Sequence, residues 1–126
     1  MRILLLALLM ILHSPSFAVD CVPDGSALER AFCAALDAQR AERELDAALA
    51  TARGRAAADP NAVEALGAAH VAWLTFRDAA LAAAFPCYHD DPSVCFGSDR
   101  ARKFEQFRAR LARERIAHLE IDWTTQ

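Results

Sequence analysis

The sequence predicts an all-α fold, an antiparallel helical hairpin plus a third packing helix, stapled by disulfides. Three observations support this prediction. Long stretches rich in Ala, Leu, Glu and Arg, all strong helix formers, are separated by short segments that contain Pro or Gly. The strict polar–apolar alternation of a half-buried strand does not occur. The chain also contains four cysteines, an even number that indicates two disulfides in an exported protein.

The first eighteen residues predict a secretory signal peptide that is not part of the fold. Arg2 precedes an unbroken apolar run from Ile3 to Leu12, and Ser16-Phe17-Ala18 has the pattern of a cleavage site. The apolar run is too short to span a membrane permanently, although an uncleaved N-terminal anchor is the alternative. We therefore expect one helical domain over residues 19–126, periplasmic or secreted, with no stable membrane anchor after cleavage.

The first helix is expected from Ser26 to about Ala52. Ser26 is a favoured N-cap residue, and Glu29 three residues later completes the pattern of a capping box. The larger apolar residues of this stretch drift around the helix, and alanine fills most of the remaining positions. The sequence therefore predicts the helix but does not define which of its sides faces the core.

The second helix is expected from Pro60 to about Phe85, with Asp59 as its cap and Pro86 as its stop. At 100° per residue, one side of this helix is apolar and is predicted to face the core. The core residues expected on that side are Trp73, Leu74 and Leu81.

The same side carries Arg77, and an arginine there needs a carboxylate partner or access to solvent. If the turn between the first two helices is centred near residue 57, two residues at the same height on these antiparallel helices have numbers that sum to roughly 115. By this rule Glu42 lies within reach of Arg77. We expect the two residues to form a structural ion pair.

A third helix is expected from about Asp99 to about Ile121, with Ser98 as its cap. Phe104, Phe107 and Leu111 form its first apolar stripe. Its other sides carry arginines interleaved with glutamates, a pattern typical of a solvated surface.

The disulfide pairing stays open at the level of sequence. Cys33 is expected level with residue 82, which favours Cys33–Cys87 together with Cys21–Cys95. Sequential pairing, Cys21–Cys33 and Cys87–Cys95, is also sterically possible. The spacing of the four residues fits no familiar zinc pattern.

Charge and motif content exclude several classes of function. The formal net charge is −3 and becomes one unit more negative without Arg2, so there is no basic stripe for nucleic acid. An acidic domain would instead be attracted to a basic protein. Within residues 19–126 no histidine is adjacent to a serine or cysteine nucleophile, and no glycine-rich phosphate loop occurs. We expect a binding protein without cofactor or metal rather than an enzyme.

The segment between Cys87 and Cys95 is the predicted partner-binding site, because function often lies on loops held by a rigid scaffold. A purely structural disulfide loop is the alternative. A metal site is disfavoured, since one histidine and two adjacent aspartates make an incomplete ligand set. The predicted contact residues are Tyr88, His89, Asp90, Asp91 and Ser93.

Three groups of residues resemble the LprI-type lysozyme-inhibitor family of small exported helical proteins. They are Cys21, Glu29, Phe32-Cys33, Glu42, Leu45 and Leu49; Ala72-Trp73-Leu74 with Phe76-Arg77-Asp78; and Arg115-Ile116 with Leu119. The chain departs from the family where Ala79-Ala80-Leu81 replaces an expected cysteine and where no tyrosine stands near Leu49. The resemblance implies inhibition of a basic lysozyme-like muramidase by occlusion of its cleft. The alternative is an accessory protein of the cell envelope that binds another periplasmic protein without inhibiting it.

Overall fold

A computed structural model describes residues 21–90, 92–95 and 99–121 and shows three long helices and one helical turn. The elements are α1 (Ala27–Ala56), α2 (Pro60–Ala84), α3 (Pro92–Cys95) and α4 (Arg100–Glu120). The all-α fold with a third packing helix and two disulfides is therefore confirmed. The predicted signal peptide, the Ser98 cap and Asp91 lie outside the described residues.

Local capping signals fix the starts of the first two long helices. At α1 the Glu29 amide donates to the Ser26 hydroxyl at 3.3 Å, and the Ser26 amide donates to the Glu29 carboxylate at 2.7 Å. This is the predicted capping box. At α2 the Asp59 carboxylate accepts from the Asn61 amide at 3.0 Å, and Pro60 occupies the first turn. Both predicted starts are confirmed.

The ends of the helices differ slightly from the prediction. α1 continues through Gly54 to Ala56, beyond the expected end near Ala52, while α2 ends at Ala84 with Phe85 as its C-cap. A tertiary contact holds the extra turn of α1, because the Arg55 guanidinium donates to the Leu119 carbonyl of α4. The sequence around Gly54 could not show this contact.

Close packing of α1 on α4 forms the main core. The apolar residues of α1 at this seam recur every three or four positions, as required for one side of a helix. Alanine side chains let two helix backbones approach closely. Glu42 of α1 contacts Arg108 of α4, and further along both helices Arg55 contacts Leu119. The two helices therefore run in the same direction. The buried residues of this cluster are Ala38, Ala41, Leu45, Leu49, Ala52, Ala109, Ala112 and Leu119.

α2 runs antiparallel to α1 and α4 and is packed more loosely. Leu81 is its only buried residue, whereas Leu66 and Trp73 are partly buried against the α1–α4 core. Beyond its C-terminus, the Phe85 ring lies 5.6 Å from the Phe104 ring and 6.0 Å from the Phe107 ring. α2 is thus held mainly at its C-terminal end. Among the described helices, none is long and apolar enough to cross a membrane.

The predicted ion pair between Glu42 and Arg77 is wrong. Glu42 pairs with Arg108 of α4 at 3.3 Å, and Arg77 pairs with its neighbour Asp78 at 2.8 Å. The sequence argument placed Glu42 and Arg77 at the same height along the two helices, but it assumed that α1 and α2 pack closely. Because α4 is the close neighbour of α1, Arg108 meets the carboxylate instead.

The favoured disulfide pairing, Cys33–Cys87 with Cys21–Cys95, is also wrong. The bridges are Cys21–Cys33, with Cα atoms 5.2 Å apart, and Cys87–Cys95, with Cα atoms 5.6 Å apart. A turn in which the Gly25 amide donates to the Val22 carbonyl folds the N-terminal arm back onto α1. Both bridges therefore close local loops, and neither joins α1 to the segment after α2.

Candidate functional site

The segment between Cys87 and Cys95 leaves the end of the bundle as a closed loop. Tyr88 is 93 % exposed, and His89 and Asp90 are also exposed. Ser93 belongs to α3, but its side chain is outside the described part of the structure. Asp91 as a whole is also outside it. Three of the five predicted contact residues are therefore shown to face solvent on one disulfide-closed segment.

Contacts on both sides of the loop fix it to the helices. The Phe85 ring packs between α2 and α4, and the Arg100 guanidinium donates to the Pro86 carbonyl while lying 5.9 Å from the Phe85 ring centre. The Cys87–Cys95 bridge closes the segment just beyond this anchor. A loop restrained in this way loses less conformational entropy on binding.

Exposed apolar side chains on α1 and α3 also lie toward this end of the bundle. Leu28 is 80 % exposed, Val94 is 57 % exposed and Phe32 is 42 % exposed. Because α1 and α2 are antiparallel around the turn at residues 57–59, Leu28 is about level with Cys87. We refer to Leu28, Phe32, Tyr88 and Val94 as the loop-end surface.

Sequence reasoning missed Leu28 and Phe32, which it assigned to the drifting apolar half of α1. The α1–α4 core uses positions Ala38, Ala41 and Leu45, and at 100° per residue Leu28 and Phe32 lie more than a quarter-turn away from that line. The alanine spacing was the signal that could have separated them. Apolar side chains left outside a core in this way are candidates for contact with a partner.

The Trp73–Arg77 region of α2 serves packing more than recognition. Trp73 is partly buried against the core, the His70 ring stacks on it at 5.8 Å, and the Arg77 guanidinium lies 5.6 Å from its ring centre. Of the predicted core residues in α2, Leu81 is buried and Leu74 is partly buried. Within the same motif Ala72, Phe76 and Asp78 are exposed.

Ion pairs between α1 and α4 use several charges that the sequence assigned to a solvated surface. Arg113 reaches Asp37 at 2.6 Å, and this hydrogen bond lowers the pKa of the Asp37 carboxyl. Arg108 lies 3.2 Å from Glu105, in addition to its contact with Glu42. Burial has the largest effect on the Glu105 carboxyl and raises its pKa, whereas the positive charge of Arg108 has a smaller effect that lowers it. These charged side chains pair with one another and thereby stabilise the packing of α1 on α4.

The described residues contain no group of three or more His, Cys, Asp or Glu side chains that could hold a metal ion. The chemistry that the loop-end surface offers is therefore that of its own side chains. Together with the exposed His89 and Asp90, it presents a phenol hydroxyl, an imidazole and a carboxylate beside apolar groups. Such a surface can make hydrogen bonds and apolar contacts to another protein.

Comparison with known proteins gives one match. The model of a protein family described as "Lysozyme inhibitor LprI" matches residues 21–119. No curated protein and no solved structure matches the chain. The matched range includes both disulfides, all three long helices except the last residue of α4, and the whole loop-end surface.

Proposed function

Because the chain belongs to the lysozyme inhibitor LprI family, we propose that it is an exported protein that inhibits a lysozyme-like muramidase. The family name supports a role as a lysozyme inhibitor in general terms. The proposal adds a mechanism: the Cys87–Cys95 loop enters the catalytic cleft of the muramidase and blocks the substrate. In this mechanism the protein catalyses nothing and needs no cofactor.

The observation that carries this mechanism is the exposure of Tyr88 on a segment that is anchored at both ends. Tyrosine is enriched at binding hot spots because it combines a large apolar area with a hydroxyl group. A muramidase cleft contains two catalytic carboxyl groups. The Tyr88 hydroxyl and the His89 imidazole can donate hydrogen bonds to such groups, while Leu28 and Val94 cover the rim of the cleft.

The charge of the protein supports a basic target. The formal net charge is −3, and the loop exposes Asp90. Opposite charges on two proteins accelerate their encounter, and added salt screens this effect. We therefore expect inhibition to weaken when the ionic strength is raised.

The test is lysis of bacterial walls by a c-type lysozyme, with the oxidised protein that lacks residues 1–18 added at increasing ratios. Inhibition is expected to saturate at a stoichiometric ratio. Tyr88→Ala should weaken inhibition by about 2 kcal/mol, or roughly thirtyfold, as truncation of a hot-spot aromatic does. The matched control is Phe76→Ala, because Phe76 is an aromatic residue 57 % exposed on α2, outside the loop-end surface. This control should inhibit like the unmodified protein.

Two outcomes would contradict the proposal. Absence of inhibition at large excess against c-type and other lysozyme types would remove the muramidase as the target. Undiminished inhibition by Tyr88→Ala would remove the loop as the contact.

The alternative function, an envelope accessory protein, is favoured by a different observation. Val71 and Phe76 are exposed on α2, at 64 % and 57 %, and neither belongs to the loop-end surface. If a periplasmic protein other than a muramidase were the partner, Phe76→Ala would weaken that complex and Tyr88→Ala would not. The same two variants therefore distinguish the two functions.

A further inference from the structure

An open cavity of about 1010 Å³ lies where α1 ends, α2 begins and α4 ends, at the opposite end of the bundle from the loop-end surface. It arises because α2 is held at its other end, by Leu81 and Phe85. At the cavity α2 presents only Ala62, Leu66 and Ala69, whose side chains are too small to fill the space. The volume is at the upper end of the range for small-molecule sites.

The walls of the cavity are mainly hydrocarbon. Alkyl side chains from all three long helices contribute, and Ile121 extends the wall beyond α4. A ligand that buries an alkyl chain here would gain binding energy from every methylene removed from water. The apolar wall residues include Ala52, Ala56, Leu66, Leu119 and Ile121.

The polar groups at the cavity are mostly cationic or able to become so. They are Arg55, Arg115 and His118, against one carboxylate, Asp59. Asp59 is already engaged as the cap of α2, and the Arg55 guanidinium donates to the Leu119 carbonyl. The Arg115 Nε is buried and has no hydrogen-bond partner among the residues that the structure describes. Arg115 lines the cavity and makes no ion pair with another described residue, so an anionic ligand in the cavity can pair with its guanidinium.

The electrostatic surroundings agree with an anionic ligand, although the chain as a whole is acidic. The pKa of His70, on the neighbouring part of α2, is lowered mainly by burial and then by the charges of Arg115 and Arg53. The carboxylate of Asp46 acts in the opposite direction but does not reverse the shift. The charges of Arg115 and Arg53 therefore add to the effect of burial at this part of α2.

We propose that this cavity binds a fatty acid, with the alkyl chain along the alanine and leucine walls and the carboxylate on Arg115. The proposal goes beyond muramidase inhibition and does not depend on it, because the cavity and the loop-end surface lie at opposite ends of the bundle. It assigns to the chain a second site, for a small amphiphile rather than a protein.

The first test is calorimetric titration of the oxidised protein with laurate, at concentrations at which laurate does not form micelles. We expect one laurate per chain. Octanoate is four methylenes shorter and should bind roughly a hundredfold more weakly, because each buried methylene contributes to affinity. Dodecyltrimethylammonium has the same chain length as laurate but a cationic head, and it should bind at least about tenfold more weakly. Equal binding of laurate and the cationic amphiphile would overturn the assignment of the carboxylate to Arg115.

Variants locate the site. Leu66→Trp should obstruct the cavity and weaken laurate binding, and Arg115→Gln should weaken it by roughly ten- to hundredfold, the effect of losing a charged hydrogen bond. The matched control is Arg43→Gln, because Arg43 is exposed on α1 and does not line the cavity. Circular dichroism establishes that each variant is folded.

Further outcomes would contradict the proposal. Undiminished binding in a folded Leu66→Trp variant would place the ligand elsewhere. Binding of laurate only after removal of residues 122–126, which follow Ile121 and lie outside the described residues, would assign the cavity to the protein's own C-terminal segment.

Discussion

At the scale of single residues, the ion pairs between α1 and α4 show how position changes the effect of a charge. Asp37 and Arg113 are 41 % and 48 % exposed and 2.6 Å apart, and the contact lowers the pKa of Asp37. Glu105 is more enclosed, and burial raises its pKa. Asp37 therefore favours the fold in its charged form, whereas the stability that Glu105 contributes at low pH is lost as the pH rises through its raised pKa.

Asp37→Asn should lower the free energy of unfolding at pH 7 by no more than about 1 kcal/mol, because both partners are partly exposed and solvent screens them. The difference between Asp37→Asn and the unmodified protein should shrink as the pH falls through the lowered pKa of Asp37. Above the ordinary aspartate pKa the full difference should be present.

Urea midpoints measured between pH 7 and pH 3 would check this prediction. The control is Glu64→Gln, which removes an exposed carboxylate from α2. A difference that stayed constant down to pH 3 would show that Asp37 acts through something other than its charge.

Placements of single residues show how far the sequence could go. Ser26, Glu29 and Asp59 do what their local patterns predict, because their partners lie two or three positions away. Glu42 and Arg77 do not, because their partners depend on which helix lies nearest. Tyr88 is exposed as a loop residue is expected to be.

At the scale of helices, the α1–α4 seam decides the shape of the bundle. Ala38 and Ala41 are fully buried, and Ala109 and Ala112 oppose them on α4 with about 1 % exposure each. Residues this small contribute little apolar area each, but they allow close contact between the two helices. The sequence showed the alanines without showing that they form the interface, because alanine also occupies the exposed sides of α1.

Ala41→Leu should lower the free energy of unfolding by about 1–3 kcal/mol, because the added carbons have no space between the helices. Ala47→Leu is the matched control, since Ala47 is exposed on the same helix and the change in helix propensity is the same. Chemical denaturation of both variants measures the difference. An Ala41→Leu variant with the same free energy of unfolding as the unmodified protein would contradict the close approach of α1 and α4.

At the scale of the whole molecule, the two disulfides sit at the same end of the bundle and restrain different parts. Cys21–Cys33 ties the N-terminal arm to α1 and spans twelve positions, whereas Cys87–Cys95 closes the loop and spans eight. Loops of these sizes give similar expected contributions to stability, roughly 2–3 kcal/mol each. Their contributions to function are expected to differ, because only the second holds Tyr88.

Replacing both cysteines of one bridge by serine tests this division. Cys21→Ser with Cys33→Ser should lower the free energy of unfolding about as much as Cys87→Ser with Cys95→Ser does. Only the second pair should weaken inhibition of lysozyme, because the freed loop must be ordered again on binding. Thermal unfolding and wall lysis, measured on both double variants, provide the comparison. Equal loss of inhibition in both would contradict the proposed role of the loop.

The sequence by itself determined the features that depend on neighbours along the chain. Ser26 and Glu29 fixed the start of α1, Asp59 and Pro60 fixed the start of α2, and the even number of cysteines indicated two bridges. Capping and helix propensity act over three or four residues, and for this reason a linear pattern contains them.

Only the tertiary structure decided which cysteines pair, which carboxylate meets Arg108, which side of α1 is buried and where the cavity lies. The cysteine pairing depends on how the N-terminal arm folds back onto α1. The other three features depend on the distances between helices that are remote in sequence. Alanine on both α1 and α4 lets those two helices pack closely, while α2 packs less closely and buries only Leu81. Because of this difference in spacing, Glu42 pairs with Arg108 rather than with Arg77, and a space remains beside Arg115. The size of the side chains at an interface sets how closely two helices can approach.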